Sequence, residues 1–213
     1  MQMYNAQLSP YSARCRIAIY AKGLDVELLP ISDEAVREKL NEMTPMHKVP
    51  TLVDGEHLVP ESEVICEYLE EKGEGIPLLP DDIHARAQVR LLARMGDLYV
   101  MEPMGDLFDQ IDPRTRDKGL VARAMAELAE GMSWLDAYLD GTGFAVGGKM
   151  TLADCALVPI IFFFERLGPM FGEEKPLKPY PNVASYYKAM HEDASCARVL
   201  AEMDVALKTF MGI

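Results

Sequence analysis

A serine-containing turn near the amino terminus is the first part of the sequence that could do chemistry. Ser9-Pro10-Tyr11-Ser12 lies between a short apolar run and a helical pattern, so both hydroxyls stand at a helix start. A helix N-terminus offers free N–H groups and a partial positive charge. A hydroxyl placed there can donate a hydrogen bond to a thiolate and favour its ionised form. Ser9 is also a good N-cap residue and Pro10 suits the first helical position, so a plain helix start is the alternative interpretation.

Two later segments offer ligand-binding chemistry. In Met46–Thr51 a proline enters an apolar run, and such a proline usually marks a sheet edge or a special turn because it cannot donate to the ladder. A cis Val49–Pro50 bond would expose the Val49 backbone for pairing with an extended ligand. The segment Pro60–Glu63 opens a helical pattern, whose free N–H groups and Ser62 hydroxyl would form a nest for a carboxylate.

The elements that must position these segments follow the order β-α-β-α-β-β-α. We expect strands at 3–6, 26–31, 51–53 and 58–59, and helices at 10–21, from Ser32 onward and at 61–72. Asp54-Gly55 is a two-residue hairpin signal between the last two strands. A β-α-β start requires a parallel pair, so the first half should be a small mixed sheet with helices on its faces.

The second half of the chain shows only helical patterns. A stretch with two glycines and two prolines, Gly73–Pro80, reads as a linker and divides a domain at 1–76 from an all-helical domain at 84–213. Helices are expected at 83–110, 114–139, 151–167, 181–191 and 196–210. Thr151 and Asp154 fit a capping box with Asp in place of Glu, which is a folding signal rather than a catalytic one.

Composition limits the function classes. The chain has 213 residues, with 34 acidic against 21 basic residues and a formal net charge of −13. Such a field repels phosphate backbones and anionic lipid, so we expect no direct nucleic-acid binding and no membrane binding. Its four dispersed cysteines give no zinc pattern, so we expect no metal, reduced thiols and a cytoplasmic location. Cys15 is expected to be a buried structural thiol.

Together the motifs carry a family resemblance. The order S-P-Y-S, H-K-V-P-T-L-V, E-S-x-x-I-x-x-Y-L, a linker and T-L-A-D is similar to that of the cytosolic glutathione S-transferases over essentially the whole chain. The resemblance implies an α/β thioredoxin-like N-terminal domain followed by an all-α C-terminal domain. It also implies glutathione as co-substrate and a homodimer.

The resemblance also implies roles for residues of the glutathione site. Val49, before a cis Pro50, would pair its backbone with the cysteinyl part of the tripeptide. Glu61 and Ser62 would hold the γ-glutamyl end. Two further residues lie where the family often contacts the glycine carboxylate, and a cation suits that anion; they are His47 and Lys48, for which a solvated loop charge is the alternative.

Two serines are candidates for the catalytic hydroxyl. Zeta-type enzymes place a serine at the Ser9 position and omega-type enzymes a cysteine, whereas theta- and delta-type enzymes align their serine with Ser12. Ser9 is the first choice and Ser12 the second. One departure from the family's pattern is Glu63, which stands where related enzymes often have an arginine and removes a cation beside the ligand.

The implied reaction is attack of the glutathione thiolate on a small hydrophobic electrophile, or a glutathione-dependent isomerisation. The acceptor region is expected on the first helix of the second half, where Met and aromatic side chains suit an adaptable pocket. Its candidates are Leu98, Met101, Met104 and Phe108.

A non-enzymatic protein on the same fold is the alternative. The stringent starvation protein A family, which associates with RNA polymerase, has a similar V-P-T-L-V-D and E-S-x-x-I-x-E-Y-L pair. Glu63 and the strong acidity fit a protein that has lost glutathione binding, whereas the intact set of His47, Val49-Pro50 and Glu61-Ser62 favours retained binding.

Overall fold

The computed structural model describes residues 1–212, and they form two compact units. The first unit is Met1–Leu78 together with the chain from Asp193 onward, and the second is Leu79–Glu192. The first unit therefore includes the last helix, which the sequence analysis placed in the domain at 84–213.

The first unit is built on a four-stranded mixed sheet. Strand β1 (Gln2–Asn5) runs parallel to β2 (Glu27–Pro30) and antiparallel to β3 (Thr51–Asp54), which pairs with β4 (His57–Pro60). The expected β-α-β-α-β-β-α order and its parallel first pair are confirmed.

The hairpin between β3 and β4 turns one residue later than expected. Asp54 pairs with His57 in the ladder, so the two-residue loop is Gly55-Glu56 rather than Asp54-Gly55. Gly55 has φ of 61°, a value that the first loop residue of a tight hairpin needs and that glycine adopts without steric cost.

Four helices belong to this unit. They are α1 (Pro10–Lys22), α2 (Glu34–Met43), α3 (Ser62–Glu71) and, from the end of the chain, α9 (Ala194–Met211). Gly23 ends α1 in the left-handed conformation at φ 66°, as expected for a glycine stop. The apolar core between sheet and helices is fully buried and includes Met3, Ile17 and Leu69.

In the second unit, the helix expected at 83–110 is a helical path with an irregular middle. It consists of α4 (Ile83–Met95), a π-helical segment (Gly96–Met101) and α5 (Glu102–Phe108). Pro103 has no N–H to donate to the carbonyl of Tyr99, so regular α-helical bonding is interrupted there. At the end of the π-helical segment, the Glu102 N–H donates to the carbonyl of Asp97, five residues back.

Three further α-helices belong to the second unit: α6 (Lys118–Tyr138), α7 (Leu152–Leu167) and α8 (Pro181–Met190), and a 3-10 turn at Gly168–Phe171 follows α7. Helix α7 contains the apolar run Ala156–Phe164, and every residue from Leu152 to Phe164 is buried. It is therefore a core helix of the second unit. Among the described residues, no helix is both long and apolar enough to cross a membrane.

The capping box at the start of α7 is present. The Asp154 carboxylate accepts from the Thr151 N–H at 2.7 Å and from the Thr151 hydroxyl at 2.8 Å. It also accepts from the Ala145 N–H at 2.8 Å and from the Tyr186 hydroxyl at 3.1 Å. Burial raises the pKa of Asp154 to about 6, although these hydrogen bonds act in the opposite direction.

Candidate functional site

The three segments singled out in the sequence meet at one end of the sheet in the first unit, where β1 and β4 end and β3 begins. Tyr4, one residue before the end of β1, pairs with Thr51 at the start of β3, and Thr51 pairs with Pro60 at the end of β4. The β1–α1 loop, the α2–β3 loop and the start of α3 therefore leave the sheet side by side. The strand register alone brings together residues far apart in sequence.

The two candidate hydroxyls differ in access. Ser9 is the N-cap of α1: its Oγ accepts from the Ser12 N–H at 3.2 Å, and the residue is half-buried. Its own O–H remains a possible donor, because a hydroxyl that accepts still carries its hydrogen. Ser12 is fully buried, and its Oγ accepts from the Ala6 N–H at 3.3 Å. This geometry favours Ser9 as the hydroxyl that a ligand can reach.

The α2–β3 loop contains the cis Val49–Pro50 bond. The sheet ladder of β3 begins at Thr51, so the Val49 backbone lies outside it. Val49 is half-buried, whereas His47 and Lys48 before it are exposed. The Thr51 hydroxyl donates to the Lys48 carbonyl at 2.9 Å and fixes the turn into β3.

The start of α3 is an open helix N-terminus beside a buried cation. Its N-cap, Glu61, is exposed, has φ of 69° and makes no side-chain capping hydrogen bond in the described structure. The other helices of this unit, α1, α2 and α9, are capped by the side chains of Ser9, Asp33 and Asp193. Uncapped N–H groups and the helix dipole at α3 favour an anion.

Arg14 is the cation that sequence reasoning missed. It lies on α1 with 3% of its surface exposed, and its Nη1 donates to the Ser62 Oγ at 3.4 Å. Ser62 is itself only 6% exposed. A carboxylate at the N-terminus of α3 would thus meet a hydroxyl backed by a guanidinium. The available signal was an arginine pair, Arg14 and Arg16, inside an otherwise apolar helix.

The cysteines lie in the core. Cys15 is fully buried, as expected, and its Sγ donates to the Ser62 carbonyl at 3.5 Å. Its Sγ is 3.9 Å from that of Cys66, and all four cysteines are free thiols. Over residues 1–212, no group of three or more His, Cys, Asp or Glu side chains could hold a metal ion.

The expected acceptor residues belong to the second unit. Met104 is fully buried and Met101 is 5% exposed, whereas Leu98 and Phe108 are half-buried. Phe108 packs edge-on against Phe163 with ring centroids 5.4 Å apart.

The first unit holds a separate groove of about 1010 Å³ beside the β1–α1 loop. Its apolar walls include Leu8, Ile31, Val205 and Phe210. Sequence reasoning missed this groove because two of its walls come from α9, at the other end of the chain.

Comparisons with known proteins agree with this architecture. The family model described as glutathione S-transferase, N-terminal domain, matches residues 3–77, and the one described as glutathione S-transferase, C-terminal domain, matches residues 118–189. Glutathione S-transferase 1 of Dianthus caryophyllus is 31% identical over 97% of this chain and 96% of its own length. A stringent starvation protein A homolog of Coxiella burnetii is 29% identical over 100% of this chain and 97% of its own length.

A solved structure extends the comparison to the fold. It is described as the holo structure of maleyl pyruvate isomerase, a bacterial glutathione S-transferase in the zeta class. It is 27% identical, with a TM-score of 0.76 over 93% of this chain and 96% of that chain. With a thioredoxin-like unit, a helical unit and these matches, the chain belongs to the glutathione S-transferase family.

Proposed function

We propose that this protein binds glutathione in its first unit, at the end of the sheet where β3 begins, and activates the thiol for reaction with a hydrophobic electrophile. One observation carries the proposal: Ser9, the cis Val49–Pro50 bond and the uncapped start of α3 lie at the same end of the sheet. Each supplies the contact that one part of an extended γ-glutamyl tripeptide requires.

The γ-glutamyl end would bind at the start of α3. Its carboxylate would accept from the free N–H groups and from the Ser62 hydroxyl, with the Arg14 guanidinium behind them. Glu61 is exposed at the same turn, where its carboxylate can receive the γ-glutamyl ammonium. The site thus offers a partner for each charge of that residue.

The rest of the tripeptide would extend from the start of α3 along the α2–β3 loop. The Val49 backbone, outside the sheet ladder, would pair with the cysteinyl residue in the manner of an added strand. The glycine carboxylate would then lie near His47 and Lys48, which are exposed on the same loop.

Activation follows from the position of Ser9. An unperturbed thiol ionises near pH 8.5, and the thiolate is the nucleophile. The Ser9 O–H would donate to the sulfur, and the N-terminus of α1 would add its positive end, so both favour the thiolate. Ser12 is the second candidate, although its burial leaves the sulfur no path to its hydroxyl in this conformation.

The acceptor would bind on apolar surface. Leu98, Met101, Met104 and Phe108 remain the proposed acceptor region in the helical unit, and the groove beside Leu8 is a further apolar surface next to the activating loop. Similarity to a zeta-class isomerase supports glutathione-dependent isomerisation as the other reaction of this site.

We further propose a cytoplasmic homodimer. The four free thiols support a reducing compartment, and assembly in pairs accords with the family.

A regulator that binds RNA polymerase without catalysis is the second candidate function. It is supported by the 29% identity to a stringent starvation protein A homolog over the whole chain, and by Glu63 beside the proposed ligand. Such a protein would lack measurable glutathione affinity, which separates the two functions.

Kinetics of serine variants test the proposal. We expect Ser9→Ala to lower the kcat for conjugation of chlorodinitrobenzene by roughly a hundred- to a thousandfold, the range for one lost donor to a stabilised anion. Its glutathione affinity should stay nearly unchanged, because the hydroxyl acts on the thiolate and not on the whole tripeptide. Ser12→Ala tests the second candidate hydroxyl in the same assay. A fully active Ser9→Ala with an inactive Ser12→Ala would move the role to Ser12.

A further inference from the structure

A network of ion pairs and hydrogen bonds around one buried arginine ties α9 to the loop that carries Ser9. Its centre is Arg16 on α1, which has no exposed surface. The Arg16 Nη1 donates to the Asn5 Oδ1 at 2.8 Å and to the Ala6 carbonyl at 3.5 Å, and its Nη2 donates to the Gln7 carbonyl at 2.8 Å. One guanidinium therefore holds three consecutive residues, Asn5, Ala6 and Gln7, immediately before Leu8 and Ser9.

Glu202 on α9 supplies the counter-charge. Its Oε2 lies 3.1 Å from the Arg16 Nε. The same carboxylate accepts from the Gln7 Nε2 at 3.1 Å, the Tyr20 hydroxyl at 3.1 Å and the Arg198 Nε at 3.1 Å. It thus gathers donors from the loop, from α1 and from its own helix. The Arg198 guanidinium also lies 3.7 Å from the centre of the Tyr20 ring.

A guanidinium without exposed surface needs this carboxylate. Burial lowers the pKa of Arg16, and Glu202 is the largest of the influences that oppose the shift. Removal of one partner of such a pair leaves the other charge uncompensated and loosens the groups that it holds.

The loop is anchored to the helix start by its own backbone as well. The Ser9 N–H donates to the Ala6 carbonyl at 3.0 Å, and the Ala6 N–H donates to the Ser12 Oγ at 3.3 Å. The Ala6 carbonyl is the same one that Arg16 contacts. The Arg16 guanidinium therefore contacts the same carbonyl that accepts from the Ser9 N–H.

We infer that Arg16 and Glu202 are positioning residues, through which α9 holds the β1–α1 loop and thereby aims the Ser9 hydroxyl at the bound thiol. The inference rests on the proposed function. Neither residue needs to touch the ligand, because their effect reaches it through Ala6 and Ser9. Helix α9 is then part of the catalytic scaffold of the first unit and not only a packing element.

Glu202→Ala in the full chain is the decisive variant. We expect its kcat for chlorodinitrobenzene to fall roughly ten- to a hundredfold, as for other misplacements of a reacting group by about an ångström, with KM for glutathione changed less than threefold. The apparent pKa of the bound thiol, read from the pH profile of kcat/KM for chlorodinitrobenzene at saturating glutathione, should rise toward that of a free thiol. Glu202→Gln keeps an acceptor for Arg16 and Tyr20 but removes the counter-charge, so it should recover only part of the kcat and only part of the lowered thiol pKa.

A second readout is independent of activity. Hydrogen–deuterium exchange of the Ala6 and Ser9 amides should speed up in Glu202→Ala, whereas exchange in the β3–β4 hairpin stays unchanged. Glu38→Ala, which removes one exposed carboxylate from α2, is the matched control and should behave as the wild type in both assays.

The outcomes separate the two proposals. Wild-type protein that neither binds glutathione nor conjugates it would refute the proposed function and with it this inference. Active wild type, with a Glu202→Ala variant that is less stable but keeps its kcat, its pH profile and its loop exchange, would overturn this inference alone. Glu202 would then serve only to anchor α9.

Discussion

Ser62→Ala gives the sharpest test of the proposed γ-glutamyl site. The Ser62 Oγ accepts from the Arg14 Nη1 at 3.4 Å, so its own O–H is left to donate to a carboxylate at the start of α3. A hydrogen bond to a charged group contributes about 1.5–3 kcal/mol. Since 1.4 kcal/mol corresponds to a factor of ten, the dissociation constant of glutathione should rise roughly ten- to a hundredfold.

The assay is calorimetric titration of glutathione into the wild type and the variant, with thermal melting to confirm that both are folded. Ser133→Ala is a suitable control, because Ser133 is exposed on α6 and its hydroxyl donates only to the Ala129 carbonyl, at 2.9 Å. A folded Ser62→Ala protein whose dissociation constant stays within twofold of the wild type would refute the assignment of this site.

Two further predictions concern stability. The pKa of Asp154 is raised to about 6, so the folded protein holds a proton there that the unfolded chain releases near pH 4. The contribution of this carboxyl to the unfolding free energy should therefore fall as pH rises from about 4 to about 6. Urea denaturation across that range should therefore show a difference between wild type and Asp154→Asn that shrinks with rising pH; a difference that grows would contradict the assignment. A Cβ at Gly131 would lie 2.0 Å from the Tyr99 carbonyl oxygen, so Gly131→Ala should lower the unfolding free energy by about 1–3 kcal/mol or more. Gly105→Ala, with nothing within 4 Å of the added Cβ, should raise it by roughly 0.5–1 kcal/mol, and equal thermal stability of the two variants would argue against the close approach.

Local signals in the sequence predicted most of the fold. The N-cap at Ser9, the glycine stop at Gly23 and the capping box at Thr151 each depend on residues within one helical turn, and all three are present. The hairpin turn was misplaced by one residue because both Asp54 and Gly55 favour turns, and only the cross-strand pairing decides between them. The π-helical segment at Gly96–Met101 was not predicted, although Pro103, just after it, lacks the N–H that regular α-helical bonding needs.

The site was predictable only in part, for a related reason. Motif order identifies Ser9, Val49 and Ser62, whose positions relative to each other follow from the strand register. Nothing in the spacing shows that Arg14 reaches Ser62, or that Arg16 meets Glu202 from the other end of the chain. Buried arginines have no periodic signature of their own, since their partners are set by tertiary packing.

The most direct test of the central claim is calorimetric titration of the wild-type protein with glutathione and, in the same buffer, with S-hexylglutathione. We expect binding in the micromolar-to-millimolar range, tighter for the hexyl adduct because its chain reaches apolar surface beside the tripeptide site. Glutathione should also release a proton at neutral pH as its thiol ionises, whereas the hexyl adduct should not. No binding heat and no thermal stabilisation at high concentrations of either ligand would contradict the account and favour the polymerase-binding role.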